Sequence, residues 1–276
     1  MTILVTGATG NVGRLVVDEL VAAGAKVRAL TNNPRKAALP AEVEVVEGYL
    51  GRIGTLPAAL EGVETLYLAP LPRTVREVVR LARAAGVQRI VDLSSSNADD
   101  EAAGDQSGWH YYAVEKAVED SGIAWTHLRP GEFMTNTFAW AEQIRTTGVV
   151  RAPHANGATA IIALEDIAAV AARVLLEDGH IGQKYELTGP EAVKRKDLAR
   201  QIGEAIGREV RFEEQTREEA LAELTPTMGE WAAWYVDGIG QLVEHPQPVQ
   251  PTVATITGRP ATTFAQWAAR HADAFR

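Results

Sequence analysis

Near its start the chain reads Ile3-Leu4-Val5-Thr6-Gly7-Ala8-Thr9-Gly10-Asn11-Val12-Gly13, three glycines between an apolar run and a helical pattern. That spacing predicts a phosphate cradle. Gly7 permits a tight turn out of a strand, Gly10 lets backbone approach a pyrophosphate, and Gly13 lets the new helix pack on the sheet. Apolar residues recur at helical spacing through Arg14-Leu15-Val16-Val17-Asp18-Glu19-Leu20-Val21, so the free N–H groups of a helix start face the bound anion. A second pair with chemical meaning is Tyr112 and Lys116, four apart on one helix face. There an ammonium lowers a phenol's pKa and readies it to give a proton to a carbonyl as hydride arrives. Ser94, Ser95 and Ser96 follow an apolar run and can hydrogen-bond the same carbonyl, and His110 is an alternative acid. The spacing also arises on ordinary helices, where Tyr111 or Tyr112 would simply pack against Trp109 or the sheet.

The end of the second strand decides which dinucleotide fits such a cradle. An acid there holds the adenosine ribose of NAD, and a basic residue accommodates the 2′-phosphate of NADP. Here the chain reads Leu30-Thr31-Asn32-Asn33-Pro34-Arg35-Lys36, with no acid. Thr31, Asn32, Arg35 and Lys36 therefore predict NADP(H) over NAD(H). The alternative is that Arg35 and Lys36 are solvated residues at the start of the next helix.

Strand and helix patterns alternate behind these residues, which predicts an α/β fold: a Rossmann-type doubly wound parallel sheet with a smaller C-terminal α/β lobe. Strands are expected at Lys26 to Leu30, Val43 to Val46, Thr65 to Leu68, Arg89 to Leu93 and Trp125 to Leu128, with helices at Arg73 to Ala85 and Ser107 to Asp120. Beyond Pro130 helical patterns at Thr137 to Thr146, Glu165 to Glu177 and Lys196 to Ile206 alternate with short extended pieces at Val149 to Arg151 and Lys184 to Leu187. The expected division is 1–152 for the dinucleotide-binding domain and 153–276 for a substrate-binding lobe, with the strand near 184–187 returning to the main sheet. Ligands of such sheets sit beyond the carboxyl ends of the strands. Those positions are Ala69-Pro70-Leu71, Ser94-Ser95-Ser96 and Arg129-Pro130-Gly131-Glu132-Phe133.

Composition narrows the class. The 276 residues are 46% hydrophobic, enough for a sizeable core, and the formal charge of −9 argues against nucleic-acid or anionic-membrane partners. Lys194-Arg195-Lys196 is the densest basic run and reads as a solvated helix face. With no cysteine, disulfides and thiolate chemistry are excluded, and the six histidines show no metal-ligand spacing, so no metal site is expected. Met1 leads directly into the first strand without a signal-peptide pattern, and Ile161 to Leu176 carries Glu165, Asp166 and Arg173, unlike a membrane span. The expected address is the cytoplasm. Trp231, Trp234, Tyr235 and Trp267 read as core residues, and His245 to Pro251 as a stiff proline-rich connector.

Four ordered blocks resemble the atypical short-chain dehydrogenase/reductases of the NmrA-like, NAD(P)H-binding type. They are Val5 to Gly13, Glu115 to Asn136, Leu164 to Ala171 and Tyr185 to Glu191. The resemblance implies a Rossmann sheet binding NADPH or NADH, with a C-terminal lobe closing over a substrate cleft. It places Gly7, Thr9, Gly10, Asn11 and Val12 at the pyrophosphate and Thr31 to Lys36 at the adenosine. It places Ala69, Pro70, Leu71, Lys116, Pro130 and Phe133 around the nicotinamide. Two departures stand out: Gly48-Tyr49-Leu50 replaces an Asp common in similar sequences, and the Tyr/Lys pair is not a regular feature of this branch. The expected function is an NAD(P)H-dependent reductase of a small carbonyl, quinone or activated alkene, acting on a small-molecule substrate as a monomer or homodimer. A dinucleotide-sensing protein without catalysis, or a sugar-nucleotide or isomerase-type enzyme, are the alternatives.

Overall fold

All four side chains of β1 (Thr2–Val5) are buried, the signature of a central strand covered on both faces. The computed structural model describes residues 1–104 and 110–276, so the start of the helix expected at Ser107 lies outside the described residues. Around β1 run β2 (Lys26–Thr31), β3 (Glu44–Glu47), β4 (Thr65–Leu68), β5 (Arg89–Leu93), β6 (Ala124–Pro130) and β9 (Gln183–Leu187). Among the described residues these form one seven-stranded sheet of order β3-β2-β1-β4-β5-β6-β9, with every neighbouring pair parallel. The order reverses between β1 and β4, and such a switch point opens a crevice at the strands' carboxyl ends.

Helices fill the crossovers: α1 (Asn11–Ala22), α2 (Leu56–Leu60), α3 (Val75–Ala84), α4 (Ala98–Ala102) and α5 (Tyr111–Glu119). Burial in α3 falls on Val75, Val78, Val79 and Ala82, one stripe at helical period. By contrast α7 (Leu164–Leu176), which packs against α1, buries nearly its whole circumference, including Asp166. That explains the long apolar run without a membrane. No helix among the described residues is long and apolar enough to cross one. A short helix, α11 (Thr252–Thr257), completes this first compact unit, which comprises Met1–Pro130, Leu164–Leu187 and Thr252–Gly258.

The second unit comprises Gly131–Ala163, Thr188–Pro251 and Arg259–Arg276. It holds α6 (Ala141–Thr147), β7 (Val149–Pro153), β8 (Ala158–Thr159), β10 (Val193–Lys194) and α8 (Arg195–Ile206), then β11 (Arg211–Gln215), α9 (Arg217–Met228), α10 (Trp231–Gln241) and α12 (Phe264–Arg270). β11 pairs with β7 in parallel and β10 with β8 antiparallel. Its core centres on Trp267, stacked on Phe264 at 5.5 Å, with Met134, Ile144, Val150 and Phe275. Trp231, Trp234 and Tyr235 are only half-buried. The chain thus changes unit repeatedly rather than once at 152, because α7 and β9 return to the large sheet after an excursion. The stretch expected to be helical from Thr137 begins as a 3-10 turn, Met134–Trp140, before α6. The proline-rich connector is docked, since Gln247 donates its N–H to the Ala158 carbonyl and accepts from Ala160 N through Oε1.

A Cβ on Gly13 would lie 2.7 Å from the Gly7 carbonyl carbon and closer still to its oxygen. Gly13→Ala is therefore expected to destabilise the chain by about 1–3 kcal/mol through backbone displacement. Gly54→Ala, with nothing within 4 Å of the added methyl, should stay within about 0.5 kcal/mol of wild type in urea unfolding.

Candidate functional site

The first strand ends in a clamp. Thr6 Oγ1 donates to the Tyr67 carbonyl at 3.2 Å and accepts from Ala69 N at 2.8 Å, tying the end of β1 to the end of β4. Gly7 follows with φ +62°, and a Cβ there would meet the Ala69 Cβ at 2.9 Å. The loop closes as Gly10 N donates to the Gly7 carbonyl at 2.8 Å, and α1 starts at once. Gly10 caps α1 without any side-chain bond, and no acid stands in the first turn. The N–H groups of Asn11, Val12 and Gly13 lie ahead of the first i→i−4 bond and lack helical carbonyl partners. Thr9, Gly10 and Asn11 are exposed, whereas the Val12 side chain is core and only its backbone is available. A Cβ on Gly10 would sit 3.2 Å from the Gly7 carbonyl oxygen, narrowing the cradle. These features fit the diphosphate of a dinucleotide, held by N–H groups and the positive end of the helix dipole.

At the adjoining end of β2, Thr31 is buried and its hydroxyl accepts from Asn33 N at 3.2 Å, while Asn32 is exposed. Arg35 and Lys36 project from a 3-10 turn, both exposed and, among the described residues, without an ion pair. Beside them the turn after β3 is built on Gly48, whose N–H donates to the Thr31 carbonyl at 2.8 Å. Tyr49 and Arg73 converge over Gly51, where an added Cβ would meet Tyr49 Cε1 at 2.5 Å and Arg73 Nη2 at 3.1 Å. An aromatic ring and a guanidinium thus stand over the turn after β3. Ala69, Pro70 and Leu71 are half-buried beyond β4.

Beneath α5 lies a charged network that the sequence did not announce. Arg129, 3% exposed, gives two parallel bonds of 2.8 Å to Glu115, itself 1% exposed, and two of 2.9 Å to Asp99. Burial pushes the Glu115 carboxyl up, yet Arg129 and Ser94 overcome this and hold it below the usual carboxylate range. Asp92 and His127 share a 2.6 Å bond, wholly buried, and desolvation pushes Asp92 up. Glu115, Glu119 and His127 bring ligand atoms within 4.8 Å of one another, a spacing a metal ion can use. Lys184 Nζ, however, lies 3.0 Å from Glu119 and 3.4 Å from Glu115, so an ammonium supplies the positive charge there.

This network changes two expectations. Ser94 was expected to face cofactor or substrate, but its hydroxyl donates to Glu115 at 2.5 Å and the residue is 2% exposed. Lys116 was expected to act on Tyr112, but its ammonium lies 3.0 Å from Glu119 and 3.2 Å from Asp120, toward the other end of α5. Those carboxylates push the Lys116 ammonium's pKa up. Tyr112 is exposed, its backbone N–H bonded to Glu101. Pro130 closes β6 in the first unit, with its carbonyl accepting from Ser96 N. Phe133 belongs to the second unit, half-buried and bridged to Ile162.

The NAD(P)H-binding family profile matches residues 7–178, from the first glycine of the cradle to just past α7. The chain belongs to this NAD(P)H-binding family of atypical short-chain dehydrogenase/reductases. It is 39% identical to the (4-alkanoyl-5-oxo-2,5-dihydrofuran-3-yl)methyl phosphate reductase of Streptomyces griseus, over 99% of both chains. It is 36% identical to the NAD(P)H azoreductase of Xenophilus azovorans, over 99% of both. The structure of an NADPH-dependent quinone oxidoreductase from Escherichia coli complexed with NADPH superposes with a TM-score of 0.85 at 30% identity, covering 98% of this chain and 99% of that one. As a member of this family the chain is an NAD(P)H-dependent oxidoreductase, and the bound reduced nicotinamide supplies the hydride. Sequence reasoning assigned no role to Thr6 or Glu115 and placed Arg129 only among the positions beyond a strand end. The Thr6 clamp had no signal beyond its place in the glycine motif, and the ion pair could be sought only as opposite charges on a helix and the next strand.

Removing Arg129 strands the buried Glu115 carboxylate. Arg129→Met is expected to cost about 3–5 kcal/mol in urea unfolding, and adding Glu115→Leu should recover much of it. Because the Glu115 pKa is depressed, its contribution is full above the ordinary value of 4.5 and is lost as pH falls through the folded value. The wild type should lose that increment in this acidic window, and Arg129→Met should have none to lose.

Proposed function

We propose that this oxidoreductase passes hydride from NADPH to a small quinone, carbonyl or activated alkene, acting in the cytoplasm as a monomer or homodimer. The observation that carries the cofactor preference is the end of β2, where exposed Arg35 and Lys36 have no described ion-pair partner and the run from Leu30 to Lys36 itself contains no acid, although Glu47 on β3 lies opposite Thr31. Two free cations there favour a 2′-phosphate. In this reading Gly7, Thr9, Gly10, Asn11 and Val12 hold the pyrophosphate through backbone N–H groups, and Thr31 and Asn32 take the adenosine. Ala69, Pro70, Leu71 and Pro130 wall the nicotinamide end. The substrate class is supported by relatives whose names specify reduction of a quinone, an azo compound and an unsaturated lactone phosphate. Tyr112 is the proton donor in this reading, acting from an exposed helix start without help from Lys116.

Mixing the protein with NADPH and a panel of quinones, enones and ketones, while following the reduced-nicotinamide absorbance, should show oxidation with at least one acceptor class. Tight NADPH binding with no acceptor reduced at high enzyme concentration would remove the substrate assignment. Arg35→Ala should weaken NADPH by roughly tenfold or more, the scale of one charge-assisted bond, and leave NADH nearly unchanged. Tyr112→Phe should lower kcat about 10²-fold or more at constant NADPH affinity. Unchanged kcat would dismiss that phenol as the acid.

A further inference from the structure

Arg195 opens α8 and was expected on a solvated helix face, yet it is 5% exposed. Its guanidinium carbon sits 5.3 Å from the centre of the Trp140 ring, itself largely buried. Among the described residues no carboxylate comes within ion-pair distance of it, and its Nε is buried without a hydrogen-bond partner. A buried cation lacking a counter-charge is costly, and an arginine fork matches an oxyanion in geometry as well as charge. Backbone bonds fix its position: Arg195 N donates to the Gly157 carbonyl at 3.0 Å and Lys196 N to the Ala155 carbonyl at 3.1 Å.

The groups that face it do not supply a settled counter-charge. Glu132 is the acid that feels Arg195, but burial outweighs that attraction and pushes its carboxyl above the usual range, toward the neutral form. Tyr235 is likewise pushed up, by burial and then by the Glu132 charge, against the opposing attraction and hydrogen bond of Arg195, so its oxygen is a neutral partner of the guanidinium. Ordinary packing of a cation on an aromatic face accounts for Trp140 but leaves the buried, unpartnered Nε of Arg195 unexplained.

We propose that Arg195 anchors an oxyanion site within the second unit, which takes a carboxylate or a phosphate monoester. Calorimetric titration of the protein saturated with NADP⁺, so that the glycine cradle is filled, tests it directly. Inorganic phosphate, methyl phosphate and acetate are the probes, at constant ionic strength. At least one should bind saturably to wild type, at least tenfold more weakly to Arg195→Met, and with intermediate strength to Arg195→Lys, while NADPH affinity stays constant in all three as the check on folding. Binding of acetate alone assigns a carboxylate, and of the phosphates alone a phosphate monoester. No saturable binding to wild type, or equal binding to a folded Arg195→Met, overturns the site.

Discussion

The Gly7 carbonyl is the point on which the dinucleotide end of this molecule turns. It accepts the bond that closes the glycine loop, and Gly13 presses against it from the first turn of α1. Only a residue without Cβ allows that approach, so helix and strand meet at backbone distance and the uncapped N–H groups of α1 converge on one spot. Thr6 extends the constraint sideways by stitching β1 to β4 at the switch point. The glycine cradle is thus a product of backbone geometry, and the side chains of Arg35 and Lys36 stand exposed beside it at the end of β2.

The same sheet carries a different kind of constraint under α5. A stretch that could have been packed with Leu and Val instead holds Arg129, Glu115, Asp92, His127 and the ammonium of Lys184. Buried ion pairs of this kind return little net stability over an apolar replacement, since desolvation consumes most of the attraction. What they impose is alignment. Glu115 on α5 must face Arg129 on β6, and Lys184 on β9 must reach both Glu115 and Glu119, so the helix and the last two strands are held in one register.

Much of this was legible in the residues themselves. The glycine spacing, the β–α alternation and the acid-free end of β2 are local patterns, and local patterns survive folding because backbone geometry enforces them. The strand near 184–187 does return to the sheet, pairing with β6, although Gln183–Leu187 is mostly polar. Side-chain partnership was less legible. The polar groups of Ser94 and Lys116, expected at the cofactor and at Tyr112, are claimed by Glu115 and by the pair Glu119 and Asp120. Arg195 misled for the same reason: charge in a sequence says solvent, and only the fold shows Trp140 beneath it. The single division at 152 failed because contiguity in sequence does not mark a compact unit.

That interleaving has a consequence for how the protein is made. The chain passes between its two units at 130/131, 163/164, 187/188, 251/252 and 258/259. During synthesis the large sheet reaches β6 early, but the strand that pairs with it, Gln183–Leu187, emerges only after a long excursion. Throughout that interval β6 offers an open row of backbone donors and acceptors, the kind of edge that invites pairing with another chain. The nascent polypeptide is therefore most vulnerable to aggregation midway through translation, and neither unit can be released from the other by a single proteolytic cut.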